Sequence, residues 1–290
     1  IGRALQGAGA VAAAIMALAA DLTSKECRTK AMACIGISIG AAFSIAFILG
    51  PILYVYIGIK GLFYLSACLS ILAIITLLTI VPSPTKKMRN VNPPNLRDIK
   101  SVLVNTSLIK LDISIFSSHL ILMANFVAIP ITLRDSMQLP IISHWWVYLI
   151  AIFTSLFIMV PFIMFGERLK KENLFLILSI LLIMFSQIGL ALFGLSLNFI
   201  IIFLILFFGA FNYLEALLPS KVSKTTQKNT KGTALGVYST SQFIGIFIGG
   251  LAGGFFYQQF GLISVHLFCL FITFLWLLLI LFFSRNENLG

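Results

Sequence analysis

The sequence predicts an all-α integral membrane protein, and three observations carry that reading. Of its 290 residues 60% are hydrophobic and only 10% charged, against about 25% charged in soluble domains. The apolar residues gather in runs long enough for a helix to cross a bilayer, which needs about 20 residues. The basic residues fall between those runs, almost all on alternate loops. Long apolar runs without polar alternation favour helices over a β-barrel, because each helix satisfies its own backbone hydrogen bonds in hydrocarbon.

Nine spans are predicted, at residues 1–20, 29–53, 61–81, 109–133, 143–165, 174–194, 198–217, 233–256 and 261–284. Of twenty Lys and Arg residues, seventeen then fall on one side, in the loops after the first, third, fifth, seventh and ninth spans. Lys60 and Arg134 fall on the other side, and Arg3 lies within the first span. Short basic loops resist translocation, so the basic face is expected to be cytoplasmic, with the C-terminus inside. The net charge of +11 is thereby explained by orientation, and no nucleic acid is expected as a partner. The Pro-rich, basic stretch 82–108 reads as a cytoplasmic linker. It divides three helices at 1–81 from a six-helix bundle at 109–285, with 286–290 as a cytoplasmic tail.

Cys27, Cys34, Cys68 and Cys269 form no C-x-x-C pair, and His119, His144 and His266 show no metal-ligand spacing. Neither a metal nor another cofactor is expected. The scattered acids and histidines argue against a membrane enzyme, and the lack of a phosphate-binding loop argues against ATP drive.

The two ends of the chain resemble each other at an offset near 200 residues. Arg28-Thr29-Lys30 answers Asn229-Thr230-Lys231, Gly36 answers Gly236, Gly50 answers Gly250, and Gly61-Leu62 answers Gly261-Leu262. Parallel repeats of this kind build many transporters. The opening residue is Ile1, inside an apolar run, and the repeat leaves three helices of the second half without counterparts in the first. The expectation is therefore a chain carrying about nine of twelve helices.

These residues resemble the major facilitator superfamily, in its twelve-helix, proton-coupled drug-antiporter branch. Residues 2–9, Gly-Arg-Ala-Leu-Gln-Gly-Ala-Gly, resemble that family's fourth-helix motif, and Gly36, Gly40 and Gly50-Pro51 resemble its fifth-helix antiporter motif. There the family usually has further glycine where this chain has Ile52, Leu53 and Tyr54. Gly166-Glu167-Arg168-Leu169-Lys170-Lys171 is similar to a degenerate copy of the motif between its second and third helices. The resemblance implies the major facilitator fold of two pseudo-repeated six-helix bundles. It also implies a monomer in a bacterial inner membrane, moving protons and a small-molecule substrate.

Several polar residues inside the spans are candidates for that work, since an ionisable group in hydrocarbon usually faces a partner or a wet cavity. Arg3 and Gln6 share a face with Ala10. The resemblance implies proton coupling for Arg3, while its place near a span end equally suits a side chain reaching for headgroups. His119 lies on a stripe with Asp112, Phe116, Met123 and Phe126, with Asn125 nearby; the stripe suits a cavity wall or plain core. Asn212 and Glu215 lie one turn apart, and Glu215 could carry a proton or pair with Lys221 and Lys224 at a cytoplasmic gate. Gln242, with Ser239, sits near midspan as cavity lining or interhelical glue.

Gly36 and Gly40, with Ser44, make one small-residue stripe, and Gly245, Gly249 and Gly253 make another. Such stripes let helices approach closely, either as plain packing or as a sliding surface between bundles. Gly50-Pro51 is expected to bend its helix, because proline removes a backbone donor. The function these features suggest is proton-driven efflux by alternating access. Proton-coupled uptake, a remnant that no longer transports, and a membrane enzyme are the alternatives.

Overall fold

The computed structural model describes residues 28–82, 96–226 and 230–287, with isolated positions 15, 18, 22 and 23. The first predicted span, with Arg3, Gln6 and Ala10, otherwise lies outside the described residues. The regular structure described is helical throughout, and seven of its helices are long and apolar enough to cross a membrane. The chain divides into two compact units, residues 1–95 and 96–290.

The first unit contains α1 (Arg28–Thr79), which spans both the second and third predicted segments. It is interrupted at Gly58, whose φ of 64° and ψ of 179° fall in a region open essentially to glycine alone. The break therefore lies seven residues beyond Pro51, which sits inside the helix. Many of its large apolar side chains, among them Tyr56, Tyr64 and Leu78, are exposed, as lipid-facing residues would be.

The second unit holds α2 (Leu96–Val104), α3 (Thr106–Asp135), a 3₁₀ turn (Ile141–Ser143), α4 (His144–Arg168), α5 (Glu172–Phe193), α6 (Leu197–Thr225), α7 (Lys231–Phe260) and α8 (Leu262–Glu287). Residues 82–108, read from the sequence as a loop, thus contain a helix: α2 packs against α7 and buries Val102. Asn105 then starts α3. Its side chain accepts hydrogen bonds from the amides of Ser107 at 3.0 Å and Leu108 at 3.2 Å, satisfying two donors left open at a helix start.

The α3–α7 pair makes the most extensive contact in the unit. Gly245, Gly249 and Gly253 are its reason. A Cβ at Gly245 or Gly249 would run into the carbonyl oxygen of Phe116 or Leu120, and one at Gly253 would come within 2.9 Å of the Ala124 Cα. Backbone lies on backbone here, as small-residue stripes permit in membranes. This face is filled by α3 of the same unit, so the described contacts of the stripe are packing within the bundle.

The α7–α8 turn repeats the conformation at Gly58. Gly261 has φ 80° and ψ −176°, and it follows a helix of 30 residues, as Gly58 follows the helical stretch 28–57. Matching the two glycines by conformation gives an offset of 203 residues, beside the 200 of the sequence motifs. In that register Ala42, Ala46 and Gly50 answer Gly245, Gly249 and Gly253, while Gly36 and Gly40 answer Ser239 and Phe243.

Candidate functional site

Three helices of the second unit bring polar side chains to one place. His119 comes from α3, Glu215 from α6 and Gln242 from α7, and their spacing in sequence exceeds 90 residues between α3 and α6. The face of α3 carrying Asp112, Phe116, Met123 and Phe126 is half-buried, whereas the opposite face, with Ile121, Ala124 and Asn125, is buried. His119 lies on the same stripe as Asp112 and Phe116 but is itself buried, with only 5% of its surface exposed. Its ring lies against Phe211, the centroids 5.2 Å apart.

The imidazole is held at both nitrogens. Nδ1 lies 3.2 Å from the carbonyl oxygen of Ile115, and Nε2 lies 2.8 Å from Nε2 of Gln242. One tautomer fits both: Nδ1–H donates to the carbonyl, and Nε2 accepts from the Gln242 amide. Glu215 approaches the same Nε2 through Oε1 at 3.7 Å. That oxygen is buried and makes no hydrogen bond among the described residues, although the Glu215 side chain as a whole is half-buried. A second proton on His119 would therefore face the Glu215 side chain. Tyr238, buried one turn before Gln242, lies within electrostatic reach of both Glu215 and Asp112.

The remaining predicted residues lie elsewhere. Asn212 turns from Glu215 toward α4, where its Nδ2 donates to Ser155 Oγ at 3.1 Å. Asn125 is buried on the side of α3 away from His119, and neither end of its amide finds a hydrogen bond among the described residues. The gate pair suggested for Glu215 is made by a different acid: Lys224 lies 3.3 Å and Lys221 3.8 Å from Glu172 at the start of α5. Gly50 has open space where a Cβ would stand. Gly36 and Gly40 lie in α1, but their surroundings are outside the described residues.

Sequence reasoning passed over several polar links between helices. His266 Nδ1 donates to Gln187 Oε1 at 3.2 Å, joining α8 to α5. Trp276 donates to Ser114 at 3.1 Å, joining α8 to α3. Ser186 donates to the Phe203 carbonyl at 2.8 Å, joining α5 to α6. Gln187 had a signal: it is the one amide side chain in the apolar run 174–194. Among the described residues no group of three His, Cys, Asp or Glu converges as metal ligands would.

Comparison with known proteins agrees with this helical architecture. The sequence model of the Major Facilitator Superfamily matches residues 1–214 and again 111–289. The chain is 42% identical over 257 residues to the inner membrane transport protein YajR of Escherichia coli (strain K12), covering 88% of this chain and 56% of that protein. It is 38% identical over 253 residues to an uncharacterized transporter of Buchnera aphidicola subsp. Acyrthosiphon pisum (strain APS), covering 86% of this chain and 64% of that one. A third relative, an uncharacterized transporter of Buchnera aphidicola subsp. Schizaphis graminum (strain Sg), is 34% identical over 291 residues, covering 98% and 73%. The chain thus spans between half and two thirds of the length of the first two.

Proposed function

Because this chain belongs to the major facilitator superfamily, we propose that it acts in secondary active transport, expelling a small molecule from the cell in exchange for protons. It is a multi-pass membrane protein. In this reading it works as a monomer in a bacterial inner membrane with its C-terminus in the cytoplasm. The observation that carries the proposal is the convergence of His119, Gln242 and Glu215.

The geometry supplies a proton-dependent change of partners. With neutral His119, Gln242 donates to Nε2 and ties α7 to α3. A proton taken at Nε2 turns that nitrogen into a donor, so the Gln242 amide nitrogen can no longer face it. The amide must then rotate to offer its oxygen, or withdraw. The imidazolium is at the same time drawn to Glu215 Oε1, 3.7 Å away, which strengthens the tie from α3 to α6. Protonation thus adds an α3–α6 ion pair and reverses the α3–α7 hydrogen bond, or breaks it where the amide withdraws. A group that binds a proton in one arrangement of helices better than in another shifts the balance between them, which is what coupling to alternating access requires.

The test is flux in proteoliposomes holding a trapped pH indicator, with a panel of small lipophilic compounds. A transported compound should move opposite to protons. Protons and compound moving together would replace efflux with uptake, and transport without proton movement would remove coupling altogether. Losing a hydrogen bond to a charged group costs about 1.5–3 kcal/mol, so His119→Gln and Glu215→Gln should each lower coupled proton movement by about tenfold or more.

A further inference from the structure

About two turns beyond Glu215, where α6 ends beside the α4–α5 turn, lies a cavity of about 450 Å³. We propose that it seats the phosphodiester headgroup of an anionic phospholipid from the adjoining leaflet. Its lining includes Lys170, Lys171, Lys221 and Lys224 against Glu167 and Glu172, so positive charge is in excess. The acids do not cancel the lysines. Glu172 is shared by Lys224 at 3.3 Å and Lys221 at 3.8 Å, and an arriving phosphodiester would add negative charge where lysines outnumber acids.

The site is partly built before any lipid arrives. Lys221 is mostly buried, with 18% of its side chain exposed, and it donates to Asn173 Oδ1 as well as facing Glu172. Its ammonium is therefore positioned at low further entropic cost. Lys224 is paired with Glu172 but keeps 64% of its side chain exposed, so its ammonium can reach an arriving phosphate from the solvent side.

The surroundings favour a lipid over a soluble anion. Met164 and Phe165 at the end of α4, Leu169 in the turn and Leu174 in the first turns of α5 are all exposed apolar side chains. Each lies within three residues of one that lines the cavity, so apolar surface for acyl chains is offered on the same turns. Basic pockets between helices at the membrane edge are the known chemistry for acidic headgroups, and each lysine near the surface adds about fivefold to affinity. This inference stands apart from the transport reading, since it uses neither His119 nor Gln242.

Native mass spectrometry of the purified full chain, titrated with phosphatidylglycerol or phosphatidylcholine, tests it. Phosphatidylglycerol should be retained preferentially. Lys221→Gln/Lys224→Gln should weaken it by about 25-fold and leave phosphatidylcholine unchanged. Lys170→Gln/Lys171→Gln, which alters only the α4–α5 turn, should weaken it comparably if the α6 variant proves unstable. Lys60→Gln should have no effect. Equal retention of the two lipids, or unchanged binding in both double variants, would overturn the proposal. Displacement of the lipid by inorganic phosphate at equal concentration would overturn it too, by making the site one for soluble anions.

Discussion

At the scale of single residues, the candidate site rests on one ring nitrogen with two suitors. Gln242 reaches His119 Nε2 at 2.8 Å and Glu215 at 3.7 Å, so the three side chains should couple energetically. In a double-mutant cycle with His119→Phe and Gln242→Leu, each single change strands the other partner, and the double change costs less than the sum. Coupling between helices in membranes averages about 0.6 kcal/mol and reaches about 1.7, and equilibrium unfolding in detergent would measure it. Additive changes would show that the contact is incidental. His119 and Glu215 were legible in the sequence as ionisable groups inside spans, and Gln242 as a polar one. That they meet was not legible, because nothing local to any of them indicates which helix it faces.

At the scale of helices, glycine does two separate jobs. Along α7, Gly249 admits the α3 backbone, whereas Gly250 on the neighbouring face has open space. Gly249→Val should destabilise by about 1–3 kcal/mol through overpacking. Gly250→Ala should be neutral or stabilising by up to about 1 kcal/mol, because alanine is the better helix former. Thermal unfolding of the two variants separates packing from propensity. At Gly261 the demand is on the backbone: φ of 80° with ψ of −176° suits glycine almost alone, and Gly261→Ala should cost about 1–3 kcal/mol though its Cβ would touch nothing. The repeat was visible in the sequence as a rough echo. Gly58 and Gly261 add a match by conformation, since a matching glycine in sequence need not be the one that turns the chain.

At the scale of the whole molecule, the distribution of basic residues predicts which side each loop occupies. In a cysteine-free background, cysteines placed at Lys171 and Arg285 should label with a membrane-impermeant thiol reagent only from the cytoplasmic side. Those at Lys60 and Arg134 should label only from outside. The reverse pattern would invert the topology, and labelling of all four from one side would remove the span assignment.

What the sequence alone determined about this protein is how it meets the bilayer. Its long apolar runs make it an all-α membrane protein, because hydrocarbon acts on each segment separately and judges it by its own composition. What only the tertiary structure decided is which helix faces which. The runs are apolar on all sides, so no hydrophobic stripe distinguishes a protein-facing side from a lipid-facing one. The choice falls to a few small and polar residues whose partners lie far away in sequence: Gly249 against Leu120, Asn212 against Ser155, His266 against Gln187, and His119 between Gln242 and Glu215.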